Sequence, residues 1–281
     1  MTRYQSPAKL NLALLVGSPR SDGFHPIESL VQTIDWFDIL EIDGADQDLL
    51  EVQGADLDPE DNLVTRSLEE LRRRGRVPPL HVRLDKRIPP GAGLGGGSSN
   101  AAATLVAVCE LAGLPRSMAE ETGPSIGSDV TLFFTGGTLL VTGVGESIET
   151  LPPLSGFAVA VAVPPFHLST PEVYRRWDEL EGPSGEEMIP RLLPPQLRDG
   201  MPIRNDLTPA AFDLEPELAD FMADLRAQWG LQVAMTGSGS ACFAFFPDLD
   251  EACDAATIVS SRCRATVGAG LRPLGVARID G

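Results

Sequence analysis

The chain has 281 residues, 43% hydrophobic and 22% charged, which supplies a core for one large domain or two ordinary ones and excludes wholesale disorder. Its formal net charge of −18 argues against nucleic acid, because a groove for a phosphate backbone needs a positive field. A nucleotide pocket escapes that exclusion, since backbone N–H groups and a few cations make it locally positive.

The first residues read as a strand, with Ala8, Leu10, Leu12, Leu14 and Val16 on one face and Lys9 and Asn11 on the other. A turn follows at residues 18–23, then an extended stretch over 27–42 that breaks at Gly44-Ala45-Asp46. Residues 62–74 carry helical spacing, with Leu63, Leu68 and Leu71 on one side and Gly75 just past the end. Residues 80–84 alternate like a strand. A glycine-rich loop then runs into Ser98-Ser99-Asn100 and an Ala-rich helix to about Ala112. Past Gly127-Ser128-Asp129, strands are predicted at 138–142 and 157–163. Residues 183–202 hold five prolines and read as a loop-rich excursion with one short helix. The last quarter reads helix (217–229), strand, Gly-Ser turn, strand, helix (250–264), strand. This alternation points to an α+β layered fold, with a boundary near Leu151-Pro152-Pro153 dividing residues 1–151 from 152–281.

The N-terminus has no cationic lead-in followed by a cleavage site, and no stretch approaches about 18 uninterrupted apolar residues. No membrane span is expected, and the cytoplasm fits best. Cys109, Cys242, Cys253 and Cys263 show neither CxxC pairing nor metal-ligand spacing, and are expected to be buried free thiols.

The densest signal is Pro89-Pro90-Gly91-Ala92-Gly93-Leu94-Gly95-Gly96-Gly97-Ser98-Ser99, five glycines in eleven residues between a strand and a helix. Glycines admit positive φ and leave no side chain between N–H groups and a ligand. The serines are placed to cap the new helix, whose amides and dipole favour an anion such as a nucleotide polyphosphate. A P-loop is excluded because no Lys follows the glycines. A Rossmann fingerprint is weak, since Glu110 lies on the helix rather than after a second strand.

Lys9 reads as a solvated strand charge and Asp129 as a helix cap, or together as the cation and proton acceptor that phosphoryl transfer to an alcohol needs. Composition leaves these readings open.

The string PxGxGLGGGSSNAA resembles the second motif of the GHMP kinases, Pro7-Ala8-Lys9-Leu10-Asn11-Leu12 their first, and Thr236-Gly237-Ser238-Gly239-Ser240 their third. Within that family, Ala8-Lys9-Leu10-Asn11-Leu12 followed by Asp22-Gly23-Phe24-His25 is most similar to the branch that phosphorylates CDP-methylerythritol in the non-mevalonate isoprenoid pathway. Asp61-Asn62-Leu63, Asp85-Lys86-Arg87-Ile88-Pro89, Gly127-Ser128-Asp129-Val130 and Asn205-Asp206-Leu207 extend the likeness along the chain.

The resemblance implies two α+β domains, one like ribosomal-protein domain 2 and one ferredoxin-like, with the cleft between them. It implies ATP and Mg²⁺ as cofactors, a small-molecule alcohol as substrate, no nucleic acid or membrane partner, and a monomer or weak homodimer. Asp129 is then expected to take the proton of the substrate's tertiary C2 hydroxyl, with Lys9 holding Asp129 ionised. The loop 89–99 would wrap the ATP phosphates, with Asn62 and Lys86 beside the adenine. Phe24 and His25 would clasp cytosine, Asn11 and Thr170 would meet the substrate's polar middle, and Gly237, Ser238, Gly239 and Ser240 its tail. The metal ligands are not assigned.

The chain departs from the family pattern in three places: Phe24 stands where Tyr is usual, Thr131 where Pro is common, and residues 116–125 form a short segment with Gly123-Pro124. The competing functions are another GHMP kinase of homoserine or mevalonate type, an ATP-driven decarboxylase, and a non-catalytic nucleotide sensor. The Phe24-His25 pair weighs against the first two, and intact Lys9 and Asp129 against the third.

Overall fold

Two long strands, β1 (Thr2–Val16) and β2 (Ile27–Gly44), pair antiparallel along nearly their whole length. The computed structural model describes residues 1–58, 62–182 and 204–279 of the chain. Asp61 and the proline-rich stretch 183–202 lie outside the described residues. Around the central hairpin the first sheet adds β3 (Leu49–Gln53), β4 (Leu80–Asp85), β5 (Thr138–Gly143), β6 (Ser147–Thr150) and the returning β11 (Ala277–Arg278). Its order is β11-β1-β2-β4-β3, with β5 on β2 and β6 on β5; among the described strands of this sheet only β3 and β4 run parallel.

The second sheet has the order β10-β7-β9-β8, built from β7 (Ala158–Val163), β8 (Ala234–Met235), β9 (Cys242–Phe246) and β10 (Ala265–Gly270), each antiparallel to its neighbours. Helices α5 (Thr170–Glu179), α6 (Thr208–Leu214) and α7 (Glu217–Trp229) fall between β7 and β8, and α8 (Leu249–Val259) falls between β9 and β10. That is the βαββαβ order of a ferredoxin-like unit.

The layers run helices, sheet, sheet, helices. In β7, the sequence AVAVAV is buried at every position. Its alanines (Ala158, Ala160, Ala162) face the second helical layer with Val173, Leu218 and Met222. Its valines (Val159, Val161, Val163) face β1 and β2 with Leu10, Leu12 and Ile34. Small residues let helices approach one face, while each buried valine stabilises the other by about 1.5–3 kcal/mol. The first helical layer comprises α1 (Leu63–Arg74), α2 (Gly96–Ala112) and α3 (Arg116–Ile126), with the short α4 (Leu132–Thr135) beside them. Helix α2 is apolar around most of its girth because it lies between the sheet and its two neighbours.

The structure corrects three expectations. Register shifts between Pro7/Ala8 and between Asn11/Ala13 break the alternation of β1. Ala8, Leu10 and Leu12 face the core between the sheets, but Leu14 and Val16 join the core under α5–α8. A bulge inserts one residue, and with a side-chain period of two that reverses every later position. Second, residues 116–125 are helical despite Gly123-Pro124; Pro124 falls in the last turn of α3, which ends two residues later at Ile126. Third, of the four free cysteines, Cys109 and Cys242 are buried, but Cys253 is exposed and Cys263 half-buried.

Candidate active site

The glycine-rich loop joins β4 to α2 and turns three times through positive φ, at Gly91 (67°), Gly93 (77°) and Gly95 (69°). Gly95 precedes the first turn of α2, and no side chain caps that turn. The serines therefore do not cap the helix, contrary to expectation: the left-handed residue at Gly95 starts the helix early and leaves Ser98 and Ser99 inside it. The first backbone bond into the helix is Ser99 N–H to Gly95 O at 2.9 Å. The amides of Gly96, Gly97 and Ser98 thus keep their donors for a ligand, at the positive end of a 17-residue helix. The buried hydroxyl of Ser99 has no hydrogen-bond partner among the described residues.

Lys9 lies mid-strand on β1 and is buried, so it is not a solvated edge charge. Its backbone N–H donates to Leu94 O at 3.0 Å, tying β1 to the loop. Its ammonium donates to Asn11 Oδ1 at 2.5 Å and stands 3.6 Å from the Asp129 carboxylate. Asp129 occupies a 3₁₀ turn, Ser128–Val130, in which no side chain caps the N-terminus, and its carboxylate is 43% exposed. The pair is a buried cation against an open acceptor. Asn11 is bound on both sides: its amide also donates to Ser29 Oγ at 2.7 Å, and its backbone N–H donates to Thr236 Oγ1 at 2.8 Å.

Loop 236–240 packs backbone to backbone on the glycine loop. A Cβ at Gly93 would meet Thr236 O at 2.5 Å and Gly239 O at 3.0 Å, so only glycine permits this approach. Ala241 N–H donates to Ala92 O at 3.1 Å. Thr170, at the start of α5, shares a 2.7 Å hydrogen bond with Ser238, and Ser240 Oγ donates to Phe166 O at 2.9 Å. Asn205, in the Asn205-Asp206-Leu207 string, donates its amide to Met235 O (2.9 Å) and Gly237 O (2.8 Å), holding the loop from beneath.

The two residues expected beside adenine both reach the same end of α2. Asn62 caps α1, accepting from Val64 N–H at 3.0 Å, and Leu63 of that turn lies against Gly97. Lys86 is turned inward, its ammonium 2.5 Å from the fully buried Asp38 carboxylate. Burial lowers the Lys86 pKa and the charge of Asp38 opposes that fall.

Phe24 is 63% exposed on the turn after β1, free to present a ring face. His25 is enclosed: Nδ1 donates to Gly17 O at 3.0 Å and Nε2 stands 3.3 Å from Asp178. The His25 ring centroid is 5.4 Å from Tyr174 and 5.2 Å from the edge-on Trp177, both on α5. Tyr174 is a site residue that sequence reasoning missed. Burial, and secondarily the charge of Asp129, push its pKa up to about 12. Its signal was a Tyr three residues before Trp177 on one helical face, indistinguishable in sequence from core packing.

Comparison with known proteins bears on this geometry. Residues 62–137 match the GHMP kinases N terminal domain and residues 192–265 the GHMP kinases C terminal domain. The chain is 39% identical over 245 residues to a 4-diphosphocytidyl-2-C-methyl-D-erythritol kinase of Protochlamydia amoebophila, covering 86% of this chain and 83% of the relative. It is 36% identical over 256 residues to the kinase of the same name from Carboxydothermus hydrogenoformans, covering 88% and 89%. A crystal structure of a 4-(cytidine 5′-diphospho)-2C-methyl-D-erythritol kinase superposes with a TM-score of 0.82 at 33% identity over 96% of this chain and 98% of that one. A homoserine kinase from Cytophaga hutchinsonii shares the fold, with a TM-score of 0.68 at 17% identity over 99% and 97%.

Proposed function

The chain belongs to the GHMP kinases, with the 4-diphosphocytidyl-2-C-methyl-D-erythritol kinases among them, and from that premise we propose how its own residues transfer phosphate from ATP to the C2 hydroxyl of CDP-methylerythritol. The observation that carries this reading is the buried Lys9 ammonium 3.6 Å from the open Asp129 carboxylate, beside a helix N-terminus with uncapped amides.

Asp129 accepts the hydroxyl proton as the substrate oxygen attacks the γ-phosphorus; the bond from that phosphorus to the β,γ-bridging oxygen breaks and ADP leaves. Lys9, held by Asn11, stands against the Asp129 carboxylate and balances charge that develops on the transferred group. The amides of Gly96, Gly97 and Ser98 bind phosphate oxygens, aided by the dipole of α2. Phe24 supplies a stacking face for cytosine, with His25 and Tyr174 beside it; a Phe there keeps the stacking and drops a hydroxyl contact. Thr170 and Asn11 are assigned to the middle of the substrate, and Gly237–Ser240 to its tail.

Among the described residues no group of three His, Cys, Asp or Glu side chains gathers to hold a metal. Mg²⁺ would bind with the triphosphate, and the Ser99 hydroxyl, without a partner among the described residues, is the oxygen this chain would offer to hold it. When bound, it screens the phosphate charge. No described helix is long and apolar enough to cross a membrane. The reading is of a cytoplasmic enzyme, monomeric or weakly dimeric, with residues 1–151 and 152–281 as its domains. In support, the strands pass from the first sheet to the second between Thr150 and Ala158, although β11 returns to the first.

The test is ADP release with CDP-methylerythritol, homoserine, mevalonate and galactose offered separately. Turnover with the cytidine substrate alone is expected. Turnover with a different alcohol would retain the ATP loop and catalytic pair but remove the cytosine assignment of Phe24 and His25.

A further inference from the structure

Asp38 lies on β2 with no exposure, in the register opposite Ser6, just past the irregularity at Pro7/Ala8. Its carboxylate accepts four hydrogen bonds. Oδ1 takes the backbone N–H groups of Arg87 (2.7 Å) and Ile88 (2.8 Å); Oδ2 takes Lys86 Nζ (2.5 Å) and Asn100 Nδ2 (2.9 Å). A carboxylate has about four acceptor positions, so this buried charge is fully satisfied. The donors come from the two ends of the glycine loop: residues 86–88 lead into it, and Asn100 lies on α2 just after it. A Cβ at Gly96 would sit 2.8 Å from Lys86 Nζ and 2.9 Å from Ile88 Cγ2, which puts the cluster directly under the first residue of α2.

We propose that Asp38 is a positioning residue for the nucleotide. It pins both ends of the 89–99 loop to β2 and so keeps the amides of Gly96, Gly97 and Ser98 aimed before ATP arrives, which lowers the ordering cost of binding. The inference rests on the reading of that loop as the ATP site. Asp38 touches no substrate and acts through Lys86, Ile88 and Asn100. It also assigns a role to Asn100, the last polar residue of the GGGSSN string. Charge is essential here: an asparagine at position 38 would turn its own amide N–H groups toward donors, losing half of the four bonds without changing shape.

The experiment is to titrate ATP and the cytidine diphosphate alcohol separately by calorimetry, and to measure both KM values and kcat, for the wild type, Asp38→Asn and Asn100→Ala. Asp38→Asn is expected to weaken ATP by about tenfold or more, with the alcohol changed by less than about twofold. Asn100→Ala, which leaves the lysine paired, is expected to shift ATP in the same direction by about threefold. Equal weakening of both ligands would reduce Asp38 to general support of the fold and overturn the proposal, as would unchanged ATP affinity in both variants. If Asp38→Asn does not fold, the same split in Asn100→Ala decides. A wild type that binds the alcohol but no ATP would instead remove the loop reading itself, and the proposal with it.

Discussion

Two lysine–carboxylate pairs meet around the first turn of α2, and they are built in opposite ways. Lys86 and Asp38 are 2.5 Å apart with side chains 3% and 0% exposed. Lys9 and Asp129 are 3.6 Å apart, the lysine 6% and the aspartate 43% exposed. The first pair gives up hydration on both sides and is tolerable only because its geometry is close and the remaining lone pairs are filled. In the second, one carboxylate keeps contact with solvent, so it can exchange a proton and receive a substrate. The same two residue types thus make a closed, fixed support in one place and an open pair, proposed as the reactive one, in the other; what separates them is burial.

The sharpest way to break this comparison is to remove each cation. Lys86→Met leaves Asp38 charged and buried and should cost about 3–5 kcal/mol in denaturant unfolding. Lys9→Met leaves a carboxylate that water can reach and should cost less than about 1 kcal/mol. Similar losses for the two would dissolve the distinction. Next in size, Asp129→Asn should lower turnover by at least about 10²-fold, about 2.7 kcal/mol of barrier, with little change in ATP affinity. Steady-state kinetics near the wild-type rate would take Asp129 out of the mechanism.

Tyr174 reports the charge of Asp129 from outside the pair. Its pKa is raised from 10.0 to about 12, by burial first and Asp129 second. The folded chain holds this proton where the unfolded chain releases it, so the stabilisation is complete below pH 10 and is lost as the pH rises toward 12. Across that window the wild type should lose about 2 kcal/mol more than Tyr174→Phe in denaturant titrations. With two tyrosines in the chain, ultraviolet titration can also follow the phenol directly, and Asp129→Asn should bring its ionisation down by a fraction of a unit. The smallest expected effect is at the cytosine end: His25→Ala should raise KM for the cytidine substrate about tenfold while ATP stays nearly constant. Equal shifts for both substrates would show that His25 supports the fold at large.

Much of the architecture was legible because its signals are local. The helix predicted at 217–229 is α7 residue for residue, and Gly75 follows α1 as expected, while Asn62, read as its first residue, is its cap. The elements missed include β3, β6, β11, α4, α5 and α6, as well as α3, read as a broken segment; most are short or take their order from neighbours: β3 alternates between exposed and half-buried positions, and α6 has seven residues. The ladder parity of β1 went wrong at a bulge, which leaves no mark in composition. Loop chemistry was readable because positive φ requires glycine wherever it occurs; that Gly95 would open the helix and put the serines inside it was not.

The sequence by itself determined the family and the glycine-rich loop, since each depends on short strings whose backbone chemistry travels with them. Tertiary structure decided which charges are partners. Asp38 and Lys86 are 48 residues apart, and they meet because β2 and β4 pair in one register. Tyr174 reaches His25 because α5 packs over the second sheet. Coulomb and desolvation energies depend on distance and burial, and both come into being when the sheets close on each other.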